Sequence, residues 1–405
     1  MATTNQSLER VSAVAVRVPL WKKVGVALLS TLLALVLAEL VATWVMGGAY
    51  PYLNIYVSDP VVGVRLRAEA STTIESPLGR VTEVETNALG FRGAAFGEGA
   101  AKGRVLIVGD SQVMAYGVDE ADGFVSRLDE RLEVMGAGIP TWGPAEYTVV
   151  ARELVERFRP AVLVVVINAV NDWNEADFPN VGRTAERDGW AVGLAPGQVL
   201  DPVTDFPLRH FLMSRSHLVL AGRLLLHGNP HERAVAPAPT FVSQAAALGR
   251  AMPPWRSKLG PHLAEIHATC QRAGCRVLTV ALPADVMVDP AEWAKYRKPG
   301  EVAAPSTAGP AQTAGVAALM QGLATDALTL HERAVRRVGG GSPTAIPGFL
   351  DLTRTLVAAS PGAFLPDDFH LSQRGHEAVA RALAPLIDTL LGLPAPATPV
   401  QDSAQ

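Results

Sequence analysis

The chain has 405 residues, 49% of them hydrophobic, enough for one large α/β domain with additions. Its formal net charge is −4 and no basic stripe with interleaved aromatics occurs, which argues against nucleic acid as a partner. Two cysteines, Cys270 and Cys275, exclude a disulfide scaffold and a cysteine-built zinc site. They flank Gly274, which lets the chain turn back, so pairing in an oxidising compartment remains open.

The N-terminal residues 1–23 carry Arg10, Arg17, Lys22 and Lys23 and read as a cytoplasmic segment. An apolar run over residues 24–46 follows, with Glu39 as its only charge. That length crosses a bilayer as a helix, with Trp44, Tyr50 and Tyr52 at the far interface. A cleaved signal peptide competes, since Val36-Leu37-Ala38 is an acceptable cleavage site. The run continues through Met46, which favours an uncleaved, single-pass anchor in the cytoplasmic membrane. Either reading puts the bulk of the chain on the extracytoplasmic side.

Residues 47–99 form a lead-in segment, with small strands expected over Val61–Leu66 and Arg80–Thr86. Asn87 to Gly93 reads as a turn-rich loop, either a cleft rim or packing. Residues 100–392 then alternate strand and helix. Strands are expected at Val105–Val108, Leu132–Met135, Ala161–Ile167, Arg276–Leu282 and Gly348–Leu352. Helices are expected at Ala121–Leu132, Pro144–Phe158, Pro261–Ala273, Ala314–Val338 and 375–392. Such alternation predicts a parallel sheet with helices on both faces. Residues 174–245 interrupt it as an insertion, with a helical stretch Leu208–Leu226 and a Pro-rich link Asn229–Thr240. That stretch carries too many charges for a membrane span, and a lid or a substrate wall is the expectation. The tail, residues 393–405, is Pro- and Ala-rich and reads as disordered.

The chemistry concentrates at two blocks. Arg104-Val105-Leu106-Ile107-Val108-Gly109-Asp110-Ser111 is a buried strand running into a tight turn, which puts a serine hydroxyl where open α/β sheets bind ligands. Asp367-Asp368-Phe369-His370-Leu371-Ser372 stands before the last helix. A carboxylate three residues before the histidine, Asp367, can take the Nδ1 proton and leave Nε2 to accept from a serine; Asp368 is the alternative acid. His376, nearby, reads as a cap or a solvent-facing residue. Asn171 and main-chain N–H groups of Ser111 and of the 136–143 loop are candidate oxyanion donors.

Gly109-Asp110-Ser111, the glycine-rich loop 136–143, Asn171-Asp172 and Asp367-x-x-His370 occur in the order of the four signature blocks of the SGNH, or GDSL, hydrolases, and the chain resembles that family over residues 100–390. The form Asp-x-x-His-Leu-Ser also resembles the SGNH domains of some carbohydrate O-acyltransferases. The resemblance implies a three-layer α/β/α, flavodoxin-like sandwich with a five-stranded parallel sheet behind one transmembrane helix. It implies Ser111 as nucleophile, His370 as base, Asp367 as orienting acid, and Ser111, Thr141 and Asn171 as the oxyanion hole, with Gly143 as the alternative to Thr141. Two departures stand out. The family's asparagine and glycine are replaced by Gly136 and Thr141, and its Gly-x-Asn-Asp by Ala169-Val170-Asn171-Asp172. The expected activity is hydrolysis of an acyl ester, an acetyl group on a glycan foremost, with no cofactor or metal called for. An O-acyltransferase of exported polysaccharide and a catalytically silent polysaccharide-binding or assembly protein are the alternatives.

Overall fold

The computed structural model describes residues 19–75, 80–97, 103–129, 132–194, 207–227, 259–289, 291–292, 325, 329, 348–366 and 368–393. The expected helix Ala314–Val338, the Pro-rich link Asn229–Thr240 and the tail fall outside these residues, apart from 325, 329 and 393.

Helix α1 (Leu20–Val45) is a single apolar helix long enough to cross a membrane, as an anchor or a signal sequence would, and it contributes no buried residue. The lead-in segment folds into two antiparallel hairpins, β1 (Tyr56–Asp59) with β2 (Gly63–Leu66) and β3 (Ser71–Glu75) with β4 (Val81–Glu85). The α/β unit follows: β5 (Val105–Gly109), α2 (Phe124–Asp129), β6 (Val134–Gly138), α3 (Pro144–Phe158), β7 (Val162–Asn168) and α4 (Asp172–Glu175). The insertion supplies a hairpin, β8 (Thr184–Arg187) with β9 (Trp190–Gly193), then α5 (Pro207–Arg215) and α6 (His217–His227). The chain closes with α7 (Gly260–Ala273), β10 (Arg276–Leu282), α8 (Asp285–Val288), β11 (Phe349–Asp351), α9 (Thr353–Ala359) and α10 (Gln373–Leu391).

Five strands form one parallel sheet in the order β11-β10-β7-β5-β6. β5 has a neighbour on each side, and its side chains divide between two cores. Leu106 and Val108 pack with α3, α7 and the lead-in strands, whereas Val105 and Ile107 pack with α2, α9 and α10. This alternation is why an uninterrupted apolar run is stable there: both faces are covered. The result is the three-layer α/β/α architecture expected from the strand–helix alternation.

Two segments differ from expectation. Ala121–Leu132 is a 3₁₀ turn, Glu120–Asp122, followed by the short α2. The stretch Leu208–Leu226 is two helices, broken at Ser216. Cys270 and Cys275 are disulfide-bonded across the end of α7, where Gly274 takes the left-handed conformation at φ 78°.

Candidate active site

Ser111, Thr141 and Asn171 leave the carboxyl ends of three adjacent strands, β5, β6 and β7. The turn after β5 lies so close to β6 that side chains are excluded. A Cβ on Gly138 would come within 2.5 Å of the Asp110 carbonyl, and one on Gly109 within 2.4 Å of Val113 Cγ2. Buried Asp110 holds the turn: Oδ1 accepts the Gln112 N–H at 2.9 Å, and Oδ2 accepts from Asn168 Nδ2 at 2.9 Å. Behind it, Asp172 accepts the Asn168 N–H at 2.7 Å and the Tyr147 hydroxyl at 2.8 Å. Burial, with Asp110 and Glu175 nearby, pushes the Asp172 carboxyl well above its usual range.

His370 meets Ser111 across this turn. The two side chains are hydrogen-bonded, Nε2 to Oγ, at 2.7 Å, and both residues are buried. The carboxylate bonded to Nδ1 is that of Asp368, the alternative acid, at 2.5 Å; Asp367 falls outside the described residues. The local reason is a main-chain clamp: Asp368 Oδ1 accepts the Phe369 N–H at 2.7 Å, which turns Oδ2 toward the imidazole. The ring lies between Phe369 and Tyr116, with centroids 4.5 and 5.0 Å away. Burial, with the Asp368 carboxylate beside it, pushes the Tyr116 hydroxyl up to about 12, so it stays protonated.

The expected oxyanion residues are held less simply. Ile139-Pro140-Thr141-Trp142 is a β-turn closed by the Trp142 N–H on the Ile139 carbonyl at 3.2 Å. Proline fixes a negative φ at the second position and Thr141 has φ 81°, which defines a type II turn. Glycine is the natural residue there, so the family's preference at this position has a steric basis that threonine violates. The Thr141 carbonyl accepts from Arg183 Nη2 at 2.5 Å, and Arg183 Nη1 pairs with Glu175 at 2.8 Å. Glu175 in turn accepts from Asn171 Nδ2 at 3.0 Å, so one ion pair ties both loops together. Burial, with Asp110 and Glu146 adding and Arg183 opposing, raises the Glu175 carboxyl to about 8. Gly143, the alternative donor, is already engaged: its N–H donates to Glu146 at 3.0 Å.

Three positioning groups carried no sequence signal. Gln112 joins the serine turn to the histidine loop, donating to the Phe369 carbonyl at 3.2 Å and accepting the Leu371 N–H at 3.1 Å. Arg92, from the 87–93 loop, donates to the carbonyls of Ala115 and Val118 at 2.8 and 3.0 Å, so that loop braces the segment after Ser111. Arg183 is the third. His376 is fully buried rather than solvent-facing. Its Nδ1 accepts the Phe124 N–H at 3.3 Å, and burial, with His370 and two arginines nearby, lowers it to about 3. Among the described residues no cluster of three or more His, Cys, Asp or Glu is arranged to hold a metal ion.

Chemically, a hydroxyl bonded to an imidazole whose other nitrogen faces a carboxylate is the arrangement of a serine nucleophile. No family model and no curated protein matches the sequence. Among solved structures, TesA is 14% identical, covering 71% of this chain and 99% of its own, with TM-score 0.35. The psychrotrophic esterase EstA from Pseudoalteromonas sp. is 11% identical over 72% of this chain and 100% of its own, with TM-score 0.34. A catalytic mutant of Axe2, an acetylxylan esterase from Geobacillus stearothermophilus, is 12% identical over 72% of this chain and 96% of its own, with TM-score 0.34. What such likenesses leave open is decided by the site itself.

Proposed function

We propose that this chain is a serine esterase of the SGNH/GDSL type, anchored by α1 with its catalytic domain outside the cytoplasmic membrane. The observation that carries the reading is the continuous relay from Ser111 Oγ through His370 to Asp368, with contacts of 2.7 and 2.5 Å. Ser111 Oγ attacks the acyl carbon as its proton passes to His370 Nε2. Asp368 accepts a hydrogen bond from Nδ1–H and stabilises the imidazolium. The carbonyl oxygen becomes an oxyanion, for which the N–H groups of Ser111 and Thr141 and the Asn171 amide are the donors. Collapse breaks the ester C–O bond, and the alcohol leaves with the proton from His370. Water, deprotonated by His370, then attacks the acyl carbon; the Ser111 Oγ–acyl bond breaks as His370 returns that proton to Oγ, and the carboxylic acid departs.

The substrate is a small acyl ester, acetyl on a carbohydrate hydroxyl, a reading supported by the likeness of the His370 block to carbohydrate O-acyltransferase domains. With a sugar hydroxyl in place of water the same groups transfer the acyl chain instead. Topology is supported by Lys22 and Lys23 at one end of α1 only. The test is turnover of chromogenic acetate, butyrate and octanoate esters by the full chain in detergent, beside Ser111→Ala and with and without a glycan acceptor. Turnover lost in the variant and fastest on acetate supports the reading. Equal turnover in both, or none in either, overturns it and favours a silent polysaccharide-binding or assembly protein.

A further inference from the structure

We propose that the corner between α5 and α6 is a second membrane-contacting element, seated in the leaflet from which the C-terminal end of α1 emerges and pinned there by Glu39. The proposal rests on α1 as a retained anchor and goes beyond the esterase reading. Glu39 is the one charge in the apolar run, and its carboxylate is fully employed. It accepts the Ser216 hydroxyl at 2.5 Å, the His217 N–H at 2.7 Å and the Leu218 N–H at 3.2 Å. The two N–H groups belong to the first turn of α6, which has no intrahelical acceptor for them. One turn along, Thr43 Oγ1 bonds His217 Nδ1 at 3.2 Å, and the Tyr50 ring stacks on His217 at 4.5 Å.

Depth follows from helix geometry. Lys23 to Glu39 spans about 24 Å at ~1.5 Å per residue, against a hydrocarbon thickness of about 30 Å. With Lys23 at the near boundary, Glu39 lies about 6 Å inside the far one, and tilt takes it deeper. A carboxylate at that depth persists only when paired or capped. Its partners are at the N-terminus of α6, so the α5–α6 corner shares that depth.

The side chains around the corner fit such a setting. Arg223 of α6 turns inward to Asp188 in the β8–β9 turn, at 3.0 Å, and Arg209 of α5, its side chain 41% exposed, pairs with the same carboxylate at 3.0 Å. Leu208, Phe211 and Leu212, at helical spacing on α5, stay 62%, 51% and 36% exposed. Arg215 lies over the Phe211 ring at 5.3 Å, a cation beside an apolar stripe at headgroup level. Cations paired to Asp188 or lying beside the stripe, with the apolar side chains turned outward, make an interfacial helix, and continuity with α1 makes lipid its occupant.

The test uses the full chain in nanodiscs, where Cys270 and Cys275 are bonded to each other. An environment-sensitive fluorophore is placed singly at Phe211→Cys, Leu212→Cys, Leu32→Cys in α1 and Val357→Cys on α9. Nitroxide-labelled lipid is expected to quench the 211 and 212 probes by about half or more, as an interfacial site requires, to quench 32, and to leave 357 unchanged. Adding Glu39→Leu is expected to release the 212 probe while 32 stays quenched. Probes at 211 and 212 that remain unquenched beside a quenched 32 overturn the proposal, including a blue-shifted but unquenched signal, which would mean a protein partner. An unquenched probe at 32 overturns the anchor reading itself, and the proposal with it.

Discussion

Thr141→Gly is expected to stabilise the protein. The residue sits at the third position of a type II turn with φ 81°, where a β-branched side chain stores about 1–3 kcal/mol of strain. Glycine removes that strain but costs about 0.5–1 kcal/mol in unfolded-chain entropy. The substitution also gives up the Asn180 Nδ2 bond to Thr141 Oγ1, a long contact at 3.3 Å worth about 0.5 kcal/mol. The balance runs from about −0.5 to +2 kcal/mol, centred on a gain of about 0.75 kcal/mol. The assay is the urea midpoint of the full chain in detergent, with Thr141→Ala beside it. Alanine retains the positive φ and loses the hydroxyl, so it should fall below wild type. The donor proposed at this position is a main-chain N–H, so kcat of the glycine variant should stay within about threefold. Destabilisation by 1 kcal/mol or more in Thr141→Gly would refute the turn assignment.

The acid can be assigned by a pair of variants: Asp368→Asn should lower kcat by about 10²–10⁴-fold through loss of the correct imidazole tautomer, while Asp367→Asn should change it little. The reverse order, read from ester turnover, would return the role to Asp367. Gln112→Leu removes both bonds between the serine turn and the histidine loop and should lower kcat about 10-fold with KM nearly unchanged, as misplacement of a base does. His376 is held neutral in the fold, with its pKa lowered to about 3, and the unfolded chain binds its proton first. Its contribution is therefore complete above about pH 6.5 and is lost as pH falls toward 3, at about 1.4 kcal/mol per pH unit. His376→Gln should flatten the fall in stability between pH 6.5 and 4.5, measured by urea titration, and an unchanged slope would contradict the burial argument.

What the sequence made legible divides along physical lines. Val105–Val108 and Ala161–Ile167 announce buried strands because both faces of a central parallel strand are apolar, and their order sets the layers. Ser111 and His370 are legible because each stands at a strand or helix boundary in a recognisable block. Two carboxylates, Asp367 and Asp368, stay open as the orienting acid in the sequence. Spacing along a loop does not report which carboxylate faces inward, and here the Phe369 N–H fixes Asp368. Gln112, Arg92 and Arg183 left no trace, since their partners are main-chain carbonyls and side chains set by tertiary folding; for Gln112 the separation is 257 residues. The break at Ser216 was invisible for the same reason: Glu39, 177 residues earlier, caps the second helix. Threonine at 141 is legible as a departure from glycine, and its φ of 81° in the turn is the reason glycine suits that position.

If Ser111 is a nucleophile activated by His370, it is open to covalent trapping. The full chain is treated with a fluorophosphonate at neutral pH, and the adduct is located by peptide mass spectrometry. One phosphonyl group is expected on Ser111, with labelling at least about 100-fold slower in His370→Gln, because the hydroxyl is an ordinary alcohol without its base. No adduct on Ser111, or equal labelling in the two proteins, would contradict it.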